Sequence, residues 1–432
     1  MRDGGRLAAA IEILTEIENK RRPVQEALKE WGASHRFAGS GDRVAIGNLV
    51  FDALRHKLSF AARMNATSPR ALTLATYCWG WGYSVDHLDQ TLKSDNYAPE
   101  QLSEEEFSAL AATEKPEMAK YEAADIPEWL FDYFEQAYGD EAVAIGQALS
   151  ARAPIDLRCN SLKMSRDKLL GKLSHLKASQ TNVTPTAVRL DPVVGPRKAP
   201  HVQAEEGFRK GWFELQDEAS QIAAILVGAK AGEQVLDLCA GGGGKSLALS
   251  AQMQNKGQIY AYDASKLRLA PLYERMARAG ARNIQIIDPQ TGDLDSLKGK
   301  MDRVLVDAPC SGTGVWRRRP DTKWRVTPNA LQGRLDEQRK VLESAKYFVR
   351  DGGILIYATC SLIADENQQQ IDWFLNENPN FKQLDLLEDY KSCFSCRREE
   401  LPMHDKKGSL TLSPLHTKTD GFFIAKLQKV AS

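Results

Sequence analysis

Two cysteines raise the first question. Cys310 follows Asp-Ala-Pro and Cys360 follows Ala-Thr, and both come just after apolar runs, VLV at 304–306 and ILIYA at 354–358. Asp307 stands at the end of the first run. Taken singly, either cysteine reads as a buried structural thiol. Two of them past strand ends, one beside a carboxylate, shift the reading toward chemistry. A third feature is the stretch CAGGGGKS, Cys239 to Ser246. Its four consecutive glycines, Gly241 to Gly244, let backbone approach a ligand closely. Asp263 follows at the spacing and position of an acid that binds the ribose hydroxyls of a nucleotide-like cofactor. A thiol and an adenosine-type cofactor together suggest one reaction. Carbon 5 of cytosine is a poor nucleophile, and thiolate addition at carbon 6 makes it enamine-like and able to attack a methyl sulfonium. The base then loses its carbon-5 proton and expels the thiol. A carboxyl group beside the ring's N3 and amino edge would stabilise the adduct.

A rival reading of the glycine loop is a phosphate loop, G-x-x-x-x-G-K-[ST], with VLVD at 304–307 as a magnesium-holding strand. Its first glycine would fall on Cys239, whose side chain obstructs the opening turn. The segment GVWRRRPDTKWR next to Cys310 carries Arg317, Arg318, Arg319, Lys323 and Arg325 with Trp316 and Trp324. Arginine binds phosphates and indole stacks on unpaired bases, so this segment is expected to touch RNA rather than to be an ordinary solvated loop. Cys393 and Cys396 form a C-x-x-C with His404 and His416 downstream. The spacing is not a standard zinc pattern, and no metal is expected.

The elements that must position these groups show in the texture of the chain. After residue 216 five apolar runs, QVLDL, QIYAY, NIQII, RVLVD and ILIYA, alternate with helical stretches. That rhythm predicts a parallel sheet with helices on both faces. Ligands in such sheets sit beyond the carboxyl ends of the strands. Asp237, Asp263, Asp288, Asp307 and Cys360 would therefore gather along one edge. SKLRLAPLYERMARAG predicts a helix ending near Gly280. A second helix is expected from Thr327 as N-cap and Pro328 at its first position to Gly352 and Gly353.

Residues 145–215 read as a small α+β connector. IDLRCNSLK is expected to be a short strand with exposed basic residues, and prolines 185, 192, 196 and 200 mark loops. Residues 1–140 read as all-helical. Ala8, Ile11, Leu14 and Ile17 recur on one face, and Val44, Ile46, Val50, Leu54 and Leu58 mark another helix with Asp42 near its start. The catalytic domain is expected over 216–432.

Lys+Arg and Asp+Glu both count 57 in 432 residues, so nucleic acid must be attracted by a local patch. No run is long enough to span a membrane, and the start does not read as a signal peptide. Seven cysteines, several inside apolar stretches, fit a reducing, cytoplasmic setting.

Together these residues resemble the RsmB/Sun family of RNA cytosine-5 methyltransferases, which use S-adenosylmethionine (SAM). The likeness rests on Cys239–Lys245, on Asp263 and Arg268 in YDASKLRL, on Asp288, on DAPCSGTGVWRRRPDTKW and on YATCSL. LRCNSLK, FELQDEAS and DGFFIAKL resemble the family's connector, domain entry and closing hairpin. The resemblance implies a Rossmann-like α/β methyltransferase domain behind a small α+β connector and a NusB-like RNA-binding helical domain. It implies that Cys239, Ala240, Gly241, Gly242, Gly243, Gly244, Lys245, Asp263, Arg268, Asp288 and Asp307 hold SAM. It further implies that Cys360 attacks the pyrimidine, Cys310 assists release, Asp307 holds the base edge and Lys245 braces the site. The implied partner is RNA, ribosomal or in an assembling ribosome, and the implied state is monomeric. Two positions depart from the family pattern: Gly242 stands where proline is usual, and Arg275 where asparagine is common. A different class, an RNA-binding assembly factor that kept the fold without the activity, is the alternative. The intact cysteine pair argues against it.

Overall fold

The computed structural model describes residues 1–114, 116–394 and 401–430. Cys396 of the C-x-x-C lies outside them, and among the described residues no cluster of His, Cys, Asp and Glu could hold a metal. The chain forms two compact units.

The first unit combines residues 1–153 with two returning segments, 192–199 and 316–326. It holds no strand among its described residues. Helix Asp3–Lys20 buries Leu7, Ala10, Ile13 and Leu14 at helical spacing. That stripe is rotated from the expected one, since Ala8 and Ile11 are only half-buried. Helix Ser40–Arg55 starts where Asp42 accepts the Gly39 N–H at 3.2 Å. It breaks at His56, so Leu58 falls in the next helix, Lys57–Met64. The segment Trp316–Val326 packs here. Trp316 is fully buried, its ring 5.7 Å from that of Phe134. Lys323 is buried too, donating to Arg55 O and Ser150 Oγ, each at 3.2 Å. Trp324 Nε1 donates to Leu54 O at 2.7 Å.

The second unit contains residues 154–191, 200–315 and 327–432. Its smaller sheet has strands β1 (Ile155–Cys159), β2 (Ser179–Gln180), β3 (Ala187–Leu190) and β4 (Phe213–Leu215), antiparallel in the order β2-β3-β1-β4. The larger sheet begins with β5 (Gln234–Asp237), β6 (Gln258–Tyr262), β7 (Ile284–Ile287), β8 (Met301–Asp307) and β9 (Val349–Thr359). It continues with β10 (Phe381–Leu384), β11 (Met403–His404), β12 (Leu410–Leu412) and β13 (Phe422–Lys429). The order is β11-β12-β13-β9-β8-β5-β6-β7, with β10 on β13. Strands β5 to β9 pair in parallel, and β10 to β13 add antiparallel pairs.

The apolar runs divide cleanly between two core layers. Val235, Ile259, Leu305 and Ile356 face one, and Leu236, Val304, Val306, Leu355 and Tyr357 face the other. A strand buried on both faces has no polar alternation to show, which is why these runs read as continuous. Helices Glu218–Leu226 and Gly244–Gln252 cover the first face; Pro328–Ala345 and Gln368–Glu377 cover the second. Strand β5 lies between β6 and β8, so the strand order reverses there. A crevice opens at the carboxyl ends around such a reversal.

The helix expected to run from Thr327 to Gly352–Gly353 ends at Ala345. Both glycines lie inside β9 instead, Gly352 with φ +72°. The pairing with β8 shifts there, from Met301–Val349 to Arg303–Ile354, so the glycines absorb an irregularity in the ladder rather than cap a helix.

Candidate active site

The carboxyl edge of the larger sheet gathers the expected side chains. Asp237 ends β5, Asp263 follows β6, Asp288 follows β7, Asp307 ends β8 and Cys360 follows β9. Because β8 and β9 are neighbours, the chain past each brings Cys310 and Cys360 together, sulfur to sulfur at 3.4 Å. Gly314 N bonds to Cys360 O at 3.0 Å, tying the two turns through backbone as well. The hydrogen bond to Cys360, then burial, pushes the Cys310 thiol well above its ordinary range, which keeps its proton in place.

Lys245, in the first turn of helix Gly244–Gln252, donates to Asp307 Oδ2 at 2.6 Å. The lysine is buried and the Asp307 side chain is a third exposed, so the carboxylate faces the cleft while its counter-ion lies behind it. The Lys245 ammonium also lies 4.8 Å from the Phe422 ring. Beneath them Asp237 is buried. Its Oδ2 accepts from Ser246 Oγ at 2.6 Å, and Oδ1 has no partner among the described residues. Burial lifts its pKa to about 7. Burial likewise drives the Cys239 thiol up, which suits a wall better than a nucleophile.

The glycine loop is held from three sides. Asp263 Oδ2 accepts the Gly241 N–H at 3.0 Å. Arg158 Nη1 donates to Gly244 O at 2.6 Å, and Arg275 Nη1 to Gly242 O at 2.5 Å. Gly243 sits at φ +77°, and a Cβ there would come within 2.1 Å of the buried Leu272. Glycine is thus required at 243 on two grounds. Gly242 has no such backbone need; a Cβ there would meet Arg275 Nη1 at 3.1 Å. The two departures from the family pattern are therefore in contact. Arg158 was expected on an exposed basic strand, but it is buried and tied to this loop, because β1 is packed beside it.

These residues fit an adenosyl cofactor. The loop carries no side chains from 241 to 244, so its backbone can approach a ligand closely, and Asp263 brings a buried carboxylate suited to ribose hydroxyls. Asp288 can accept from an amino group once its exposed ion pair with Lys266, at 2.6 Å, opens. The Lys266 bond holds Asp288 below the usual carboxylate range. Arg268, largely exposed, reaches Asp263 Oδ2 at 3.2 Å and lies against the glycine loop at Gly241.

The basic segment divides. Arg318, Arg319 and Arg325 are exposed, whereas Arg317 and Lys323 are buried in the helical unit and Trp324 is half-buried. Lys323, expected to grip RNA, has its donors committed to Arg55 and Ser150, and burial lowers its pKa to about 8. Sequence reasoning could not see this, since a lysine between tryptophans reads alike as a stacking platform or as a buried plug. It also passed over Glu366, a fully buried carboxylate under both cysteine turns. Nothing in SLIADENQQQ, where Glu366 sits among Asp365, Asn367 and three glutamines, marks it out.

Comparison with known proteins is consistent from several directions. Residues 224–428 match the family model described as 16S rRNA methyltransferase RsmB/F, and residues 126–195 match a RsmF/B-like ferredoxin-like domain. The chain is 33% identical over 339 residues to the protein named "Probable ribosomal RNA small subunit methyltransferase B" of Synechocystis sp., covering 76% of this chain and 72% of that one. It is 34% identical over 306 residues to ribosomal RNA small subunit methyltransferase B of Enterobacter sp., covering 70% and 66%. Among solved structures, that of PH0851 superposes with TM-score 0.71 over 99% of both chains at 25% identity. A methyltransferase homolog from Pyrococcus horikoshii gives 0.59 at 26% identity, over 72% of this chain and 98% of that one. With the mostly parallel sheet, the glycine loop and the paired thiols in place, these matches put the chain in the RsmB/F family of 16S ribosomal RNA methyltransferases, whose methyl donor is S-adenosylmethionine.

Proposed function

We propose that this enzyme methylates carbon 5 of a cytosine in ribosomal RNA through a covalent adduct between Cys360 and carbon 6. The observation that carries the reading is the contact of two thiols at 3.4 Å beside the Asp307–Lys245 pair. Cys360 gives its proton to solvent and adds as a thiolate to carbon 6, and the ring's electrons move toward N3, which takes up a proton from solvent. Asp307 accepts hydrogen bonds from the N3–H and amino edge and is held in place by Lys245. Bound SAM supplies a methyl group on a positively charged sulfur, which the enamine-like carbon 5 takes up. Carbon 5 and N3 then each give a proton to solvent, the 5,6 double bond re-forms and Cys360 leaves as a thiolate. Cys310, still carrying its proton, donates to that departing sulfur. Cys239–Lys245, Asp263, Arg268 and Asp288 would hold the cofactor.

Arg318, Arg319 and Arg325 are the side chains of the basic segment exposed enough to meet phosphates. The reading extends to a monomer acting on naked rRNA or an assembling small subunit, in the cytoplasm, where a reducing medium keeps both thiols free. The test is transfer of labelled methyl from SAM to 16S rRNA, with bisulfite mapping of the product. Cys360→Ala is expected to abolish transfer, and Cys310→Ala to accumulate a protein–RNA complex that survives a denaturing gel. Full turnover by Cys360→Ala would overturn the reading. Absence of SAM binding by calorimetry would favour the assembly-factor alternative.

A further inference from the structure

Glu366 ends the short turn Ala364–Glu366 after β9 and has no exposed surface. Four hydrogen bonds converge on its carboxylate. Ser311 N and Gln338 Nε2 donate to Oε1 at 2.7 and 3.0 Å; Ser311 Oγ and Ser361 Oγ donate to Oε2, each at 2.5 Å. The serines are the residues that directly follow the two cysteines. The Gln338 amide nitrogen also donates to Pro309 O at 2.9 Å, so the residue before Cys310 is held too. Tyr357 OH fixes the Glu366 backbone carbonyl at 2.7 Å. Thr313 and Ser361 share a further bond at 3.1 Å across the same two turns.

A buried carboxylate is costly unless its lone pairs are satisfied, and here charge-assisted bonds satisfy them. Stability alone could be met by well-packed apolar side chains of similar volume. What an apolar group could not do is hold two separate turns by one rigid acceptor. We propose that Glu366 is a positioning residue for the thiol pair: one carboxylate sets the register of the Cys310 turn against the Cys360 turn and so holds the two sulfurs in contact. Its negative charge also opposes ionisation of Cys310, which helps that thiol keep its proton. The inference rests on the reading of the pair as the reacting thiols.

The experiment uses the full chain as Glu366→Ala and Glu366→Gln. Three quantities are measured: SAM affinity by calorimetry, kcat and KM for methyl transfer to 16S rRNA, and iodoacetamide alkylation rates of each cysteine by peptide mass spectrometry. Glu366→Ala is expected to leave SAM affinity and KM within about twofold while kcat falls about 100-fold, the scale of an ångström-level misplacement of reacting groups. Glu366→Gln, which keeps one acceptor oxygen, should recover part of that loss. Alkylation of Cys310 and Cys360 should change together, while the exposed Cys393 stays as it was. If Glu366→Ala does not fold, Ser311→Ala and Ser361→Ala each remove a donor and are expected to shift the same two alkylation rates. Unchanged alkylation of the pair in folded variants overturns this inference, whatever the methyl-transfer result. Turnover by Cys360→Ala instead sinks the reaction reading and leaves the alkylation result standing.

Discussion

The Arg275 guanidinium donates to the carbonyl of Gly242 at 2.5 Å and pairs with Glu214 Oε2 at 3.0 Å. A Cβ at residue 242 would meet that guanidinium at 3.1 Å, so the arginine would have to give by a few tenths of an ångström. Arg275→Asn should weaken SAM binding, since a hydrogen bond from a charged donor contributes about 1.5–3 kcal/mol. Gly242→Ala should weaken it as well, by pushing the guanidinium away. The double variant should lose less than the sum of the two, because both act through one contact. Calorimetry on the four proteins gives the coupling, and strict additivity would refute it.

The glycines of the same loop should differ in tolerance. Gly243→Ala combines a left-handed backbone with a 2.1 Å approach to buried Leu272. Gly241→Ala, at φ +51°, meets only the Arg268 end at 3.3 Å, a side chain free to swing toward solvent. Gly243→Ala is expected to lower Tm and SAM affinity markedly, and Gly241→Ala to cost roughly 1 kcal/mol of backbone strain. Thermal melts with and without SAM rank the two.

The basic segment should separate into structural and RNA-binding halves. Lys323→Ala leaves two buried acceptors without their donor and should destabilise the chain by about 1–3 kcal/mol. Arg318→Ala, Arg319→Ala and Arg325→Ala, all at exposed positions, should lower Tm far less than Lys323→Ala does. They should instead weaken RNA binding and flatten its salt dependence, as each lost phosphate contact releases fewer counterions. Equal loss of Tm in all four variants would contradict the division.

Asp237 gives a pH signature. Its folded pKa, about 7, lies above the ordinary 3.8, so the folded state holds the proton more tightly than the unfolded chain. The stability it contributes is complete below about pH 4 and is lost as pH rises through about 7. Asp237→Asn does not titrate. The Tm of the parent protein, taken relative to that of Asp237→Asn, should therefore fall from pH 5 to pH 8. A relative Tm that stays constant or rises would contradict the shift.

Most of the catalytic sheet was legible because strands buried on both faces make unbroken apolar runs, and Asp237 through Cys360 mark their ends. The helical face of Asp3–Lys20 was read with the wrong rotation because alanines can sit on either side of the boundary. Gly352 and Gly353 read as a helix stop because a paired glycine looks the same in a cap and in a strand irregularity. Arg158, Lys323 and Glu366 stayed hidden for one common reason. A charged residue signals solvent in sequence, and only the fold supplies the carbonyls and hydroxyls that let it be buried.

The contact between Cys310 and Cys360 has a price in chemical durability. Two sulfurs already touching need little motion to join, and an azo or disulfide oxidant can take from them the two electrons and two protons that closing the bond releases. Under the proposed mechanism such a bond would consume both thiols at once while leaving the glycine loop intact. The enzyme would then stop turning over yet still take up SAM, and a dithiol reductant would return it to work.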